Sequence, residues 1–279
     1  MIRGIYTAAS SMLVETIRQD MVSNNLANVD TPGFKRDQGI FKELPTMVLS
    51  KVNDGQIYPP RPFQKFPKIG KLGTGVILDE THTDHSIGKF DYTGNQLDCA
   101  LENPKSFFLV ERGNGIRFSR DGVFTINEEG FLVNNHGDFV LAESEPSPDP
   151  GAPLLNSDGK PTSEFGRIQV GDKENIEIDT EGRVIVNGQP RFRLLQGMSS
   201  DRKAFRKEGS NAYVRAYGDV QRSAGKVKQG YVEKPNFSLV EEMVKMIEVS
   251  RAYEANAKVI QTHDSLLDKA VNSVGPGRR

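Results

Sequence analysis

SLVEEMVKMIEVSRAYEANAKVIQTHDSLLDKAVNSV, residues 238–274, is the stretch whose reading decides the fold. It contains neither glycine nor proline, and Ser238 with Glu241 three residues on forms a capping box after Pro235. From there Leu239, Met243, Met246, Tyr253, Ala257, Ile260, Leu267, Val271 and Val274 follow an alternating 4,3 step, broken by the polar Ser250 and Asp264. Glu241–Lys245 and Glu254–Lys258 stand at i,i+4 with the acid first, and Gly275-Pro276 closes the pattern. A helix over 238–274 would be roughly 55 Å long at 1.5 Å per residue, several times the average globular helix.

The other end of the chain answers it. Residues 1–28 contain no proline and one glycine, Gly4. Ile5, Ala8, Met12, Val22, Leu26 and Val29 fall on one 3–4 spaced row interrupted by Glu15 and Gln19, while Leu13, Ile17 and Met21 form a second row. This helix should stop near Asn28, where Asp30-Thr31-Pro32-Gly33 supplies turn chemistry. Asn24, Asn25 and Asn28 are costly in a helix, and two readings stand. They ease the chain into that turn, or they hydrogen-bond across a helix contact and fix its register. Two long helices with heptad-like stripes at opposite ends are expected to pair as a coiled coil. The outer rows Leu13/Ile17/Met21 and Val240/Val244/Ile247 would then remain uncovered, which marks an interaction surface.

Between the ends lie nearly all of the 27 glycines and 15 prolines. Turn signals at Gly113-Asn114-Gly115, Asp121-Gly122, Glu129-Gly130 and His136-Gly137 separate short β-prone runs, among them Phe107–Val110, Val123–Ile126, Phe131–Val133 and Phe139–Leu141. After a proline-rich gap at 145–151, further strands are expected at Ile168–Val170, Ile176–Ile178 and Val184–Val186. The stretch 36–75, with five prolines from Pro45 to Pro67, reads as extended and irregular. The expected fold is therefore α+β. Residues 1–35 and 237–279 make a helical coiled-coil domain, 36–75 a linking segment, and 76–236 a mainly antiparallel β domain.

Composition narrows function by exclusion. Of 279 residues, 36 are basic and 37 acidic, so no bulk field favours nucleic acid or an acidic membrane. The apolar run Ile5–Val14 is half the length of a membrane span, and no secretory signal peptide is expected. The single cysteine, Cys99, permits no intramolecular disulfide and reads as a small buried hydrophobe. His82, Asp84 and His85 with Asp79 and Glu80 form the one local cluster resembling metal ligands, and a polar loop or edge strand is the preferred reading. Gly113-Asn114-Gly115 is a turn rather than a phosphate cradle, because no helix follows. Arg191, Arg193, Arg202, Lys203, Arg206 and Lys207 stand against one acid, Asp201, and read as a solvated or subunit-facing strand surface. No catalytic constellation and no cofactor site is expected.

Long motifs then carry a resemblance. Thr7–Leu13 (TAASSML) and Ser23–Arg36 (SNNLANVDTPGFKR) resemble the N-terminal signature of flagellar rod and hook proteins. Val240–Val244 and Ser250–Gln261 resemble that family's C-terminal signature. Leu72–Val76, Thr93–Asp98, Phe107-Phe108 and Phe118–Gly122 are similar to its central domain, and Ser11 and Gln19 depart from its usual glycine and leucine. The resemblance implies a structural subunit of the bacterial basal-body rod, without enzymatic activity or cofactor. Its terminal helices would pair into an inner tube around an export channel, with export by the flagellum's own type III apparatus. Implied partners are copies of itself, other rod subunits and the bushing ring proteins, with no nucleic acid and no membrane span. Implied contact residues are Met12, Val22, Asn24, Asn25, Leu26, Asn28 and Val29 on the first helix, and Met243, Met246, Tyr253, Asn256 and Ile260 on the last. The length and the stretch Phe41–Gly55 favour the proximal over the distal rod. A carbohydrate- or peptidoglycan-binding β module is the rival from another class, and the lack of tryptophan counts against it.

Overall fold

The structure is a computed structural model that describes residues 2–50, 68–113, 115–144, 153–155, 165–171, 176–199, 201, 204–209, 211–223 and 225–274. It is α+β, and the chain divides into two compact units. One comprises residues 1–24, 37–82 and 240–279, the other residues 25–36 and 83–239.

In the first unit, α1 runs Ile2–Ala27 and α2 Leu239–Lys269, followed by a π-helical turn at Ala270–Val274. Both helices begin and end close to where capping and turn chemistry put them, and Gly275-Pro276 lies outside the described residues. Glu241 meets Lys245 at 3.1 Å, one of the two i,i+4 pairs expected. Gly4, the one glycine of the N-terminal stretch, stands where a Cβ would lie 2.8 Å from His263 Nε2, so α1 and α2 approach closely there.

The stretch 36–75 differs from the irregular reading, because its described parts carry strands. These are β1 (Asp37–Glu43), β2 (Met47–Ser50) and β3 (Lys68–Leu72), with β4 at Val76–Thr83. β1 pairs with β4 and β2 with β3, as two separate two-stranded sheets. Proline cannot donate to a ladder, and Pro45 sits in the gap between β1 and β2 while the other four fall in 51–67, outside the described residues. β1 also has something to pack on: Phe41 lies under the Arg18 guanidinium, 4.7 Å from its ring centroid. Lys42 bridges β1 to Asp79 of β4 at 3.0 Å.

The second unit is an antiparallel β domain. Its strands are β5 (Phe90–Tyr92), β6 (Cys99–Leu101), β7 (Ser106–Arg112), β8 (Gly115–Ser119), β9 (Phe124–Ile126), β10 (Leu132–Asn134), β11 (Phe139–Ser144) and β12 (Gly166–Arg167). There follow β13 (Ile176–Ile178), β14 (Arg183–Val186), β15 (Gln189–Leu194), β16 (Gln196–Met198) and β17 (Phe205–Glu208). β18 (Ala212–Arg215), β19 (Gln221–Arg222), β20 (Val227–Gln229) and β21 (Tyr231–Glu233) complete it. The main sheet runs β13-β14-β15-β11-β7-β8-β18-β17, and β20–β6 and β21–β5 are separate pairs. In the expected meander from Phe107 to Leu141, β7 pairs with β8, and β9, β10 and β11 pair in turn, but the Asp121-Gly122 turn joins no hairpin, since β8 pairs onward with β18 and β9 with β10. Ile168–Val170, expected as a strand, contributes only a bridge from Gln169 to Phe131, with β12 just before it.

β7 reads Ser106-Phe107-Phe108-Leu109-Val110 because both its faces are covered; all five residues are buried. Phe108 packs with Cys99, Phe124, Val140 and Val184 in one cluster, and Phe107 with Phe118, Phe205 and Tyr213 in another. Burial pushes the Cys99 thiol up, as befits an inert hydrophobe. Phe108 is fully buried and edge-on to Phe124 at 5.3 Å. Phe108→Ala should therefore destabilise the β unit by about 3–5 kcal/mol, measured as a fall in the denaturant midpoint at constant slope. A loss below about 1 kcal/mol would place the core elsewhere.

Candidate functional site

Two features stand out, one in each unit. In the β unit, the chain from Asn25 to Arg36 is locked onto the strands. Phe34 and Lys35 are buried, and Lys35 Nζ reaches Glu233 Oε1 on β21 at 2.5 Å and donates to the Ser86 carbonyl at 2.6 Å. Arg120 Nε stands 3.2 Å from Glu233 Oε2, and its Nη1 donates to the carbonyls of Asn103 and Ser106, each at 2.7 Å. Gly88 N–H adds a bond to Glu233 Oε1 at 2.9 Å. Two cations thus share one buried carboxylate, and burial draws both Lys35 and Arg120 below their ordinary pKa ranges, with Glu233 opposing the shift.

The surrounding contacts make the docking specific. Gly33 holds φ +69°, and a Cβ there would lie 2.4 Å from the Arg120 carbonyl carbon, so only glycine fits. Its N–H donates to the Glu233 carbonyl at 2.8 Å. Lys207 Nζ sits 3.8 Å from the Phe34 ring centroid and donates to the Lys35 carbonyl at 2.9 Å, while Phe237 meets Phe34 edge-on at 6.0 Å. Arg36 pairs with Asp84 at 3.4 Å, and Asn236 accepts from Arg36 N–H at 3.0 Å.

Next to Arg120, Asp121 is buried with Oδ1 accepting from Val123 N–H and Oδ2 from Asn211 Nδ2, both at 3.1 Å. Burial, with a smaller contribution from Asp98, pushes its carboxyl up to about 6.

In the helical unit, the feature is uncovered apolar surface. Ala8, Val14 and Val22 of α1 are buried, yet Leu13 remains 68% exposed. On α2 only Val249 and Glu242 are buried, while Val240 is 68% exposed and Ile247 52%, Val244 lies open between them, and Leu266 is exposed further along, as is Val271 in the π-helical turn. Met243 and Tyr253, expected on the packed stripe, are exposed too. A 26-residue α1 covers little of a 31-residue α2 whose apolar positions spread over several rows.

The other residues singled out from sequence divide as follows. Met12, Leu26, Asn28, Val29, Met246, Asn256 and Ile260 are half-buried, Val22 and Asn25 buried, and Asn24 exposed. Asn28 accepts from Thr31 through its carbonyl (3.1 Å) and its side-chain oxygen (3.2 Å), which is turn chemistry. His85 is buried against Phe107 and Tyr213, and Asp84 is taken by Arg36 and Ser86. Among the described residues no group of three or more His, Cys, Asp and Glu side chains could hold a metal. No helix among them is long and apolar enough to cross a membrane. Sequence reasoning quoted Lys35 and Arg120 only inside motifs and missed Glu233 altogether.

Comparison with known proteins gives the family. A model of flagella basal body rod proteins matches residues 5–35, and one of the D1 domain of flagellar hook protein FlgE/F/G matches residues 103–186. A third, of the C-terminal region of flagellar basal body rod FlgEFG protein, matches residues 228–273. A Bacillus subtilis protein named flagellar hook-basal body complex protein FlhO is 31% identical over 294 aligned residues, covering 99% of each chain. The chain belongs to the flagellar basal-body rod family. The flagellar basal-body rod protein FlgG of Buchnera aphidicola subsp. Baizongia pistaciae is 32% identical over 274 residues, 96% of this chain and 98% of its own. The flagellar basal-body rod protein FlgF of Caulobacter vibrioides is 30% identical over 274 residues, 98% of each. The first matched region ends on Lys35 and the last contains Glu233, so this rod-family chain joins its two terminal signatures through that buried pair.

Glu233→Gln leaves two buried cations without a counter-charge and should cost about 3–5 kcal/mol in urea unfolding, against less than 1 for Lys42→Gln on the surface. Asp121 gives a pH signature. Its folded-state pKa is raised, so its contribution to stability is complete below about pH 4 and is lost as pH rises through about 6. Asp121→Asn should flatten that part of the stability profile, worth about 3 kcal/mol between pH 4 and 7. An unchanged profile would contradict the assignment.

Proposed function

We propose that the chain is a structural subunit of the bacterial flagellar basal-body rod that assembles helically through its terminal helices. In the assembly α1 and α2 pair as a coiled coil and form an inner tube around the export channel, with the β unit outside. Met12, Val22, Asn24, Asn25, Leu26, Asn28, Val29, Met243, Met246, Tyr253, Asn256 and Ile260 make contacts between helices and between subunits. The chain performs no catalysis, uses no cofactor and binds no nucleic acid. Its partners are further copies, other rod subunits and the bushing ring proteins. Export is through the flagellar type III apparatus, and the position along the rod is proximal rather than distal, on the strength of Phe41–Gly55 and the chain's length.

One observation carries this reading: in a member of the rod family, α2 leaves the apolar row Val240, Val244 and Ile247 open to solvent, with Val240 at 68% exposure, and Leu13 of α1 is equally exposed although Ile17 and Met21 of its row are half-buried. Surface of that kind is stable when neighbours cover it, and a repeating contact that does not close on itself generates a rod. Deleting residues 1–24, which leaves Asn25–Arg36 on the β unit, should give a folded β domain that never enters a rod and cells that do not swim. A truncated chain that still assembled and supported motility would overturn the helix-driven mechanism. Tagging the β unit and imaging purified basal bodies tests the position, with label at the membrane-proximal end of the rod expected and label beneath the hook contradicting it.

A further inference from the structure

We propose that the contact between residues 33–36 and 233–237 is a mechanical tie that carries tension between the two chain ends and shields the β strands from it. That load arrives through α1 and α2 rests on the rod reading above; the tie itself lies wholly in the β unit. Four consecutive residues make it, Gly33 to Arg36. Gly33 N–H donates to the Glu233 carbonyl at 2.8 Å, and Lys35 Nζ meets Glu233 Oε1 at 2.5 Å. Phe34 meets Phe237 edge-on at 6.0 Å, and Arg36 N–H donates to Asn236 Oδ1 at 3.0 Å.

Its place in the chain gives the tie this role. α1 (Ile2–Ala27) lies before it and α2 (Leu239–Lys269) after it. Lys35 and Glu233 are 198 positions apart, so their contact closes a loop that holds every strand from β1 to β20. A pull on the two ends loads this contact before any strand inside the loop. Connectivity alone requires that, whatever the placement of the helices.

The chemistry suits the contact to hold. The Lys35 and Glu233 side chains are each 1% exposed, so water cannot take over their bonds one at a time. Separating them strands opposite charges in a low-dielectric interior, which sets a high barrier. Both sides are anchored to the domain behind. Arg120 grips Glu233 while its Nη1 holds the Asn103 and Ser106 carbonyls, and Lys207 holds the Lys35 carbonyl. Asn236 Nδ2 donates to the Asp84 carbonyl at 2.8 Å and to Ser86 Oγ at 2.9 Å. Lys234 N–H donates to the Lys89 carbonyl at 2.8 Å. Load entering at Phe34 therefore leaves at Asn236 across a few short bonds rather than along the main sheet.

Pulling the full-length chain by its two ends in an optical trap tests the tie. α1 and α2 lie outside the loop and give way first. The 34 residues before Lys35 and the 46 after Glu233 limit this early extension to roughly 280 Å. A rupture at higher force should follow, and only then should the roughly 700 Å of chain between Lys35 and Glu233 be released. Glu233→Gln should lower that rupture force about twofold. Phe108→Ala, with a comparable loss of equilibrium stability but a place inside the loop, should leave it unchanged. Should the Glu233 variant fail to fold, Asn236→Ala removes the bonds to Arg36, Asp84 and Ser86 and should lower the force with the melting temperature held. Release beyond the early length before the high-force event, or a force as sensitive to Phe108→Ala as to the tie variants, would overturn the inference. That result leaves the rod reading intact, whereas assembly of the chain lacking residues 1–24 would remove the rod reading without altering the pulling record.

Discussion

A helix that carries apolar side chains on several rows has no way to hide them all inside a small unit. α1 buries Ala8, Val14 and Val22 but presents Leu13, and α2 buries Val249 while Val240, Val244 and Ile247 stay open. At about 25 cal/mol per Å² such surface is a standing drive toward association. In most proteins it would be an aggregation hazard. Under the proposed assembly it would be the adhesive, and the charged residues between the rows, such as the Glu241–Lys245 pair, keep the surface wettable.

The β unit meets a different constraint, which is to fix the segments next to the two helices onto its strands. Lys35, Arg120 and Glu233 bring the segment after α1, the turn after β8 and the strand before α2 to one buried point. Burying three charges contributes little net stability compared with an apolar core, yet removing any one of them is severe. The interaction therefore acts as a specificity device: register slips of 25–36 or of β21 would leave a naked charge inside. The glycine at 33 enforces the same register sterically, since its φ and its closeness to Arg120 exclude any side chain.

Much of this was written locally in the sequence. The helix limits, the hairpins β7–β8 and β9–β10–β11 and the open row Val240/Val244/Ile247 follow from periodicity and turn residues, which act over a few positions, whereas Ile17 and Met21 in the row of Leu13 are half-buried. The strands β1 to β3 were hidden by prolines in the same stretch, whereas β15 and β17 fall where Arg191–Lys207 reads as a strand surface. The Lys35–Glu233 contact spans 198 positions, and no local pattern encodes a pairing at that distance. Likewise Met243 and Tyr253 share a stripe with the half-buried Met246 and Ile260, yet the single chain leaves them exposed. The asparagines show both limits at once: Asn28 follows turn chemistry readable from Asp30–Gly33, while burial of Asn25 depends on tertiary surroundings.

Amide hydrogen exchange on the isolated chain and on assembled rods is the most direct measure of whether helices at the two ends depend on neighbours. Residues 2–24 and 240–269 should exchange rapidly in the isolated chain and become protected in the rod, while residues 25–36 and the strands β7 and β11 are protected in both. Terminal helices as slow to exchange in the isolated chain as β7 would contradict the account.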